Sequence, residues 1–150
     1  MKRVEIFADG ACKGNPGAGG WGAIIRTSDA TLEIFGAERQ TTNNRMELTA
    51  VIEGFLRLQE PSCVVVTTDS RYVQQGMSEW LSGWMANGWR TSNGKAVKNR
   101  DLWEKLLKVV TPHNVRWCWV KGHNAHTENE RADYLANLAI QRLNGSDKVE

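Results

Sequence analysis

Alternating and glycine-rich segments open the chain and predict a group of antiparallel strands. Residues 4–9 alternate between two sets of side chains, and this period of two predicts a strand. Residues 10–20 are rich in glycine and contain Asn15-Pro16-Gly17, which predicts a loop. Residues 21–26 and 31–37 predict two more strands joined by a tight Ser28-Asp29 turn, and connections this short favour hairpins.

Helical spacing dominates the rest of the chain. Apolar side chains recur at helical intervals in residues 44–58, whereas the β-branched run 63–68 predicts a buried central strand. One or two helices are predicted over residues 70–85, with an interruption near Gly76. Further helices are predicted over 101–110 and 127–143, and a fifth strand over 115–120. This order predicts an α/β fold with one mixed sheet flanked by helices.

Composition narrows the class of protein. The chain has 150 residues, of which 41% are hydrophobic and 24% charged, so we expect a single globular domain over residues 1–150. No apolar run could span a membrane, and the start lacks the apolar core of a signal peptide, so we expect a cytoplasmic protein. Cys12, Cys63 and Cys118 are odd in number and widely spaced, which argues against disulfides or a thiolate metal site. We expect a monomer without an obligate protein partner.

The positions of the charged residues are more informative about a binding partner than the net charge of +2. Residues 80–100 contain four basic side chains, Arg90 among them, and no acidic one. They also contain Trp80, Trp84 and Trp89, and mixed aromatic and basic surfaces bind nucleic acids. Alternatively, Trp80 and Trp84, spaced by four residues, pack against the body of the protein. We expect that some tryptophans anchor this segment while others contact DNA.

Four carboxylates stand out, although each has an ordinary structural explanation. Asp9 precedes a glycine, which is typical of a turn. Glu47 lies in the first turn of a predicted helix, which is typical of a capping partner. Asp69 follows a strand and could cap the next helix, and Asp133 could pair with Arg131. We refer to Asp9, Glu47, Asp69 and Asp133 as the four carboxylates.

Their combination favours a metal site. Asp9 and Asp69 both end predicted strands, where ligand sites form in sheets of this kind, and Glu47 and Asp133 lie in early turns of helices that could cover the same edge. Acids gathered there would repel one another without cations, and hard oxygen ligands suit Mg²⁺, with Mn²⁺ as a possible substitute. Two such ions about 3.5–4 Å apart promote phosphodiester hydrolysis. Spacing alone does not establish that the four side chains converge.

The sequence around these acids resembles the bacterial type 1 ribonuclease H (ribonuclease HI) family, from about residue 4 to residue 143. The matching motifs are Phe7-Ala8-Asp9-Gly10-Ala11-Cys12, Gly14-Asn15-Pro16-Gly17, Thr42-Asn43-Asn44-Arg45-Met46-Glu47-Leu48, Thr68-Asp69-Ser70, Val120-Lys121-Gly122-His123 and Glu128-Asn129-Glu130-Arg131-Ala132-Asp133. The resemblance implies the ribonuclease H fold with a five-stranded mixed sheet. It implies that the four carboxylates are catalytic and bind metal. It also implies an endonuclease that cuts the RNA strand of an RNA–DNA hybrid, leaving 5′-phosphate and 3′-hydroxyl ends.

The resemblance assigns a role to one histidine. It implies that His123 is a mobile proton-transfer group, and histidine titrates in a range that suits this role. A solvated loop residue is the ordinary alternative. The loop reads His123-Asn124-Ala125-His126-Thr127, where the family commonly has Ala-Gly-His-Pro, so the contribution of His123 is an open question.

The resemblance also implies how the substrate binds. Selecting RNA over DNA requires contacts with 2′-hydroxyl groups, and the resemblance places four side chains along the RNA strand: Cys12, Asn15, Asn43 and Asn44. The ordinary alternatives are a turn residue for Asn15 and a helix cap for Asn44. Thr42 and Asn99 match family positions that hold a phosphate of the DNA strand.

Two departures from the family pattern concern substrate binding. Arg71 stands where glutamine is usual, which leaves that contact undetermined. In the family, the segment corresponding to residues 80–100 is a basic handle, and here Met85-Ala86-Asn87 stands where a Lys/Arg cluster is common. We therefore expect weaker substrate binding than in relatives with more basic handles.

Two rival functions remain. A non-catalytic module could bind RNA–DNA hybrids without cutting them, but the complete set of four carboxylates argues against it. An integrase or transposase core could cut DNA with similar carboxylate and metal chemistry. The set Asn15, Asn43 and Asn44 favours an RNA-containing substrate.

Overall fold

The central feature of the computed structural model is a five-stranded mixed sheet; the structure describes residues 1–121 and 127–148, with side chains up to residue 145. The strands are β1 (Lys2–Lys13), β2 (Gly17–Arg26), β3 (Thr31–Thr41), β4 (Ser62–Thr68) and β5 (Asn114–Trp119). Their order is β3-β2-β1-β4-β5. β1 pairs antiparallel with β2, and β2 with β3, whereas β1–β4 and β4–β5 are parallel. The predicted hairpins and mixed sheet are confirmed.

Within the described residues, five α-helices accompany the sheet: α1 (Asn43–Leu56), α2 (Arg71–Gln75), α3 (Leu81–Ala86), α4 (Arg100–Val110) and α5 (Thr127–Lys148). A π-helical turn, Gly76–Trp80, joins α2 to α3, which confirms the predicted interruption near Gly76. Among the described residues, no helix is long and apolar enough to cross a membrane.

The two faces of the sheet are covered differently. The main core contains side chains of β1 and β4 together with α1 and α4, and Trp103 of α4 is completely buried in it. A smaller cluster of Phe7, Ile24 and Leu135 lies under α5. Since Phe7 alternates with the main-core residues of β1, α5 covers the opposite face. The catalytic candidates lie where both layers reach the same edge of the sheet.

The glycine-rich segment differs from its predicted form. Most of residues 10–20 are strand and not loop: β1 continues to Lys13, β2 begins at Gly17, and Cys12 pairs with Gly19 in the ladder. Only residues 14–16 lie between the strands. Glycines inside a strand often mark places where another backbone approaches closely, and this is their role here, as the candidate active site shows.

Candidate active site

Three of the four carboxylates meet at one point. One carboxylate oxygen from each of Asp9, Glu47 and Asp69 lies within 4.8 Å of the others. Asp9 and Glu47 are buried, and Asp69 is half-buried. Asp133 of α5 lies near enough to Asp9 for its charge to raise the Asp9 pKa. The structure therefore gathers side chains from two strands and two helices.

The parallel pairing of β1 and β4 brings Asp9 beside Asp69. Ala8 is the register partner of Thr68, so the two aspartates follow equivalent positions on neighbouring strands. Asp9 lies within β1, and the turn explanation of this residue is wrong. Asp69 lies just beyond β4, and Ser70 is the residue that caps α2. Both aspartates are therefore free for a role other than local structure.

A glycine next to Asp9 allows α1 to deliver Glu47. A Cβ atom on Gly10 would lie 2.5 Å from the backbone nitrogen of Glu47, so only glycine permits this approach. Glu47 is not a capping residue, because the Thr42 hydroxyl caps α1 by accepting from the Arg45 N–H. The helix instead directs the Glu47 carboxylate into the buried cluster.

A second glycine, across the ladder from Asp9, allows α5 to deliver Asp133. Gly22 is the register partner of Asp9, and a Cβ atom there would lie 2.5 Å from the Ala132 carbonyl oxygen. The close seating of Ala132 carries its neighbour Asp133 to Asp9. Asn137 fixes Asp133 further, since its amide donates to the Asp133 side chain at 3.3 Å and backbone carbonyl at 2.9 Å.

The alternative explanation of Asp133, an ion pair with Arg131, does not hold. The Arg131 guanidinium instead makes an ion pair with Glu33 of β3, with a nitrogen–oxygen distance of 2.6 Å. This pair lies on the exposed side of α5. It secures the helix to the outer strand and leaves Asp133 to face Asp9.

The electrostatics of the cluster are unfavourable without a cation. Burial and the charges of Asp69 and Asp133 raise the pKa of Asp9 to about 9, although the Gly10 N–H opposes this by donating to Asp9. Burial and the charge of Asp9 raise the pKa of Glu47 well above its usual range. Glu47 Oε2 is buried and has no hydrogen-bond partner in the part of the chain that the structure describes. Buried carboxylates that repel one another and lack hydrogen-bond partners are typical ligands of cations.

The side chains expected along the RNA strand lie beside this cluster. Asn15 accepts a hydrogen bond at 3.0 Å from the backbone N–H of Asn43, which ties the β1–β2 turn to the start of α1. The Cys12 thiol lies 2.9 Å from the Gly14 carbonyl oxygen in the same turn. Asn44 is exposed in the first turn of α1, and the helix-cap explanation for it is wrong because Thr42 is the cap.

A network that the sequence did not reveal connects the two candidate phosphate contacts, Thr42 and Asn99. The Arg45 guanidinium donates to Asn99 at 3.2 Å and forms a bidentate pair with Asp101, at 3.0 and 2.8 Å. Asn99 in turn donates to the Tyr72 hydroxyl at 3.1 Å. Arg45 was visible only as a member of a motif, since its partners lie more than fifty positions away. It fixes the start of α1 relative to the start of α4.

The basic segment is anchored by some aromatic side chains and exposes others. Trp84 packs against Trp103 at 5.3 Å between ring centroids, which confirms its anchoring role. Trp80 lies 5.8 Å from Trp84 and is 36% exposed. Arg90 is exposed and donates to the Gly94 carbonyl oxygen at 2.9 Å, closing a turn within the segment. His123, predicted as a proton-transfer group, lies outside the described residues.

Comparison with known proteins gives a consistent set of relatives. Residues 1–141 match the RNase H family model. A Ribonuclease H of Cupriavidus pinatubonensis is 57% identical over 143 residues, covering 95% of this chain and 99% of the relative. A Ribonuclease H of Hydrogenovibrio crunogenus is 54% identical over 145 residues, covering 97% and 100%.

Solved structures show the same likeness. LC9-RNase H1, a type 1 RNase H with the type 2 active-site motif, superposes with a TM-score of 0.84 at 36% identity, covering 94% of this chain and 73% of that one. LC11-RNase H1 in complex with an RNA/DNA hybrid superposes with a TM-score of 0.67 at 25% identity, covering 93% and 98%.

Proposed function

The chain belongs to the ribonuclease H family, and we propose that it hydrolyses the RNA strand of RNA–DNA hybrids with divalent cations held by the four carboxylates. One observation carries the assignment of the site: oxygens of Asp9, Glu47 and Asp69 lie within 4.8 Å of one another in a largely buried position. A noncatalytic binding module has no need for this arrangement, which raises the free energy of the fold.

The donor set fits Mg²⁺. All four ligands are carboxylate oxygens, which hard divalent cations prefer, and Mn²⁺ accepts the same ligands. The unpartnered Oε2 of Glu47 supplies a buried acceptor for which a cation is the natural partner. We propose two ions for this site because four carboxylates offer more oxygen donors than one six-coordinate Mg²⁺, which keeps several waters, would use.

The mechanism requires exact positions for the protein groups. The four carboxylates would hold two ions, whose chemistry would be to activate a water and stabilise the leaving 3′-oxygen, and cleavage would leave 5′-phosphate and 3′-hydroxyl ends. Asp9 and Glu47 are buried, so they would hold the cations away from bulk water, in a place where electrostatic interactions are strong. Asn137 keeps Asp133 oriented toward Asp9. His123 is proposed to transfer a proton as the product leaves.

Substrate recognition is proposed to flank this centre. Asn15 and Asn43 are held together by their hydrogen bond and, with Cys12 and Asn44, are proposed to sense 2′-hydroxyl groups of the RNA strand. The hybrid bound to LC11-RNase H1 supports a substrate of this class.

The DNA strand is proposed to bind farther from the carboxylates. Thr42 and Asn99 are proposed to hold one of its phosphates, with Asn99 positioned by Arg45 and Tyr72. Trp80 and Arg90 of the basic segment are proposed to contact the same strand, with Trp84 beneath Trp80 supporting that surface from the core and lending it any remaining exposed edge. We propose that the active unit is a cytoplasmic monomer.

The decisive experiment follows cleavage of a hybrid labelled in turn on each strand, with Mg²⁺, with EDTA and with the Asp9→Asn variant. We expect cutting of the RNA strand only, with Mg²⁺ only, and a loss of at least about a hundredfold in Asp9→Asn because one ligand charge is removed. A duplex DNA of the same sequence is the matched substrate control. A folded protein that binds the hybrid but never cuts it would support the binding-module alternative, and cutting of duplex DNA would support a transposase-like core.

A further inference from the structure

Arg71 is an exposed cation beside the candidate metal site that none of the proposed roles uses. It is the first residue of α2, two positions after Asp69. Its guanidinium carbon lies over the ring of Trp119, 4.0 Å from the ring centroid. Among the ion pairs of the described residues, none includes Arg71. A cation at a helix N-terminus gains nothing from the helix dipole, so helix stability does not account for it.

The support beneath Arg71 is rigidly tied to the Asp69 backbone. The Trp119 indole N–H donates to the Asp69 carbonyl oxygen at 3.0 Å. The Ser70 N–H donates to the Thr68 hydroxyl at 3.0 Å, and the Ser70 hydroxyl caps α2. Stacking on an aromatic face leaves the edge of the guanidinium, with its N–H donors, open to a ligand. The Arg71 guanidinium is therefore held at a fixed position beside the carboxylates, with N–H donors that are available to a ligand.

We propose that Arg71 binds a backbone phosphate of the hybrid next to the scissile linkage. This inference rests on the proposed function, because that function places the scissile phosphate at Asp69. Guanidinium groups bind phosphate through paired, charge-assisted hydrogen bonds. The contact is therefore ionic, and it comes from a residue outside the basic segment 80–100.

Salt dependence of binding distinguishes an ionic phosphate contact from simple stacking. Hybrid binding is measured by fluorescence anisotropy in EDTA, where no cleavage occurs, over a range of KCl concentrations, for wild type, Arg71→Gln and Arg71→Lys. Each phosphate contact contributes a slope of about −0.9 to log K against log salt. We expect Arg71→Gln to reduce the slope by about one and to weaken binding about tenfold at low salt. Arg71→Lys should keep the slope and lose part of the affinity, since lysine does not reproduce the stacked fork.

A matched control removes the same charge elsewhere. Arg3 is exposed near the start of β1, at the end of the strand away from Asp9, and Arg3→Gln should leave the slope unchanged. The phosphate is located with hybrids that carry one neutral methylphosphonate linkage each. One linkage near the cut should weaken binding by wild type and have no further effect on Arg71→Gln.

The outcomes are separable. An unchanged slope in Arg71→Gln, or a weaker affinity at the same slope, overturns the phosphate contact. If Arg3→Gln changes the slope by the same amount, the effect comes from the overall charge of the protein, and the proposed phosphate contact of Arg71 is also overturned. If wild type neither binds nor cuts the hybrid, the proposed function fails instead.

Discussion

Asp9 occupies the centre of the site, and its protonation couples the site to the stability of the fold. It is 5% exposed, and burial together with the charges of Asp69 and Asp133 raises its pKa to about 9. In the unfolded chain its pKa returns to about 3.8. Between these values the metal-free folded protein holds a proton that the unfolded chain has released, so its stability falls as pH rises.

This linkage predicts opposite effects of pH and metal. In EDTA, we expect the melting temperature to fall from about pH 5 to about pH 9, because over this range the folded protein keeps a proton that the unfolded chain releases. Added Mg²⁺ should reduce the fall, since cations bind the deprotonated carboxylates. Thermal melts at several pH values, with EDTA or Mg²⁺, measure both effects.

Asp9→Asn is the control for this prediction. It removes one of the mutually repelling charges, so at high pH in EDTA the variant should melt above wild type and show a flatter pH profile. The pKa of Glu47 is also raised, so the variant should keep the part of the pH dependence of the melting temperature that Glu47 contributes. Identical profiles for the two proteins would mean that Asp9 does not couple to folding.

The contact between α5 and β2 decides where Asp133 lies. The helix backbone at Ala132 rests directly on Gly22 of the strand. We expect Gly22→Ala to force α5 away from the sheet and to lower the free energy of unfolding by about 1–3 kcal/mol. Since Asp133 moves with the helix, kcat should fall by about tenfold or more, with a smaller change in KM. Urea unfolding and steady-state kinetics test the two parts.

Gly145→Ala is a matched control in the same helix. A Cβ atom there meets nothing within 4 Å, so stability should stay the same or rise slightly, as expected for alanine in a helix. Its kinetics should equal those of wild type. A similar loss of stability in both variants would show that the close seating at Gly22 is not the cause.

The distribution of charge over the whole molecule sets the strength of substrate binding. The four carboxylates concentrate negative charge at one edge of the sheet, whereas the basic segment 80–100 carries positive charge with a neutral stretch at Met85 and Ala86. Both residues are exposed. We expect the double variant Met85→Lys, Ala86→Lys to bind the hybrid about tenfold more tightly at low salt, because the added lysines can contact phosphates and release their counterions. Each added contact should also steepen the slope of log K against log salt by about 0.9.

A second double variant tests whether the position of the added lysines matters, or only the net charge that they add. Leu56 and Gln59 are exposed at and just after the end of α1, far along the helix from Glu47. Leu56→Lys, Gln59→Lys adds the same charge there and should change affinity little. Equal gains in the two variants, or none in the first, would count against a substrate path over the basic segment.

Local sequence determined most elements and nearly all candidate chemistry. Periodicity of two or of helical length reports which side chains face a core, so the five strands, the main helices and the break at Gly76 followed from it. Motifs of several adjacent residues identified the four carboxylates. The glycine-rich segment was wrongly predicted to be a loop, because local rules treat glycine as a loop former. The packing of helices on these glycines is a tertiary contact, which such rules do not include.

Only the tertiary structure decided how these parts meet. The parallel register of β1 and β4 placed Asp9 beside Asp69, and the seating of two helices on Gly10 and Gly22 delivered the other two acids. The links of Arg45 to Asn99, and of Trp119 to Asp69, join residues about fifty positions apart. The pKa of Asp9 likewise depends on burial and on charges brought from distant elements. Such contacts arise from packing of whole elements, which a pattern along the chain does not encode at any single position.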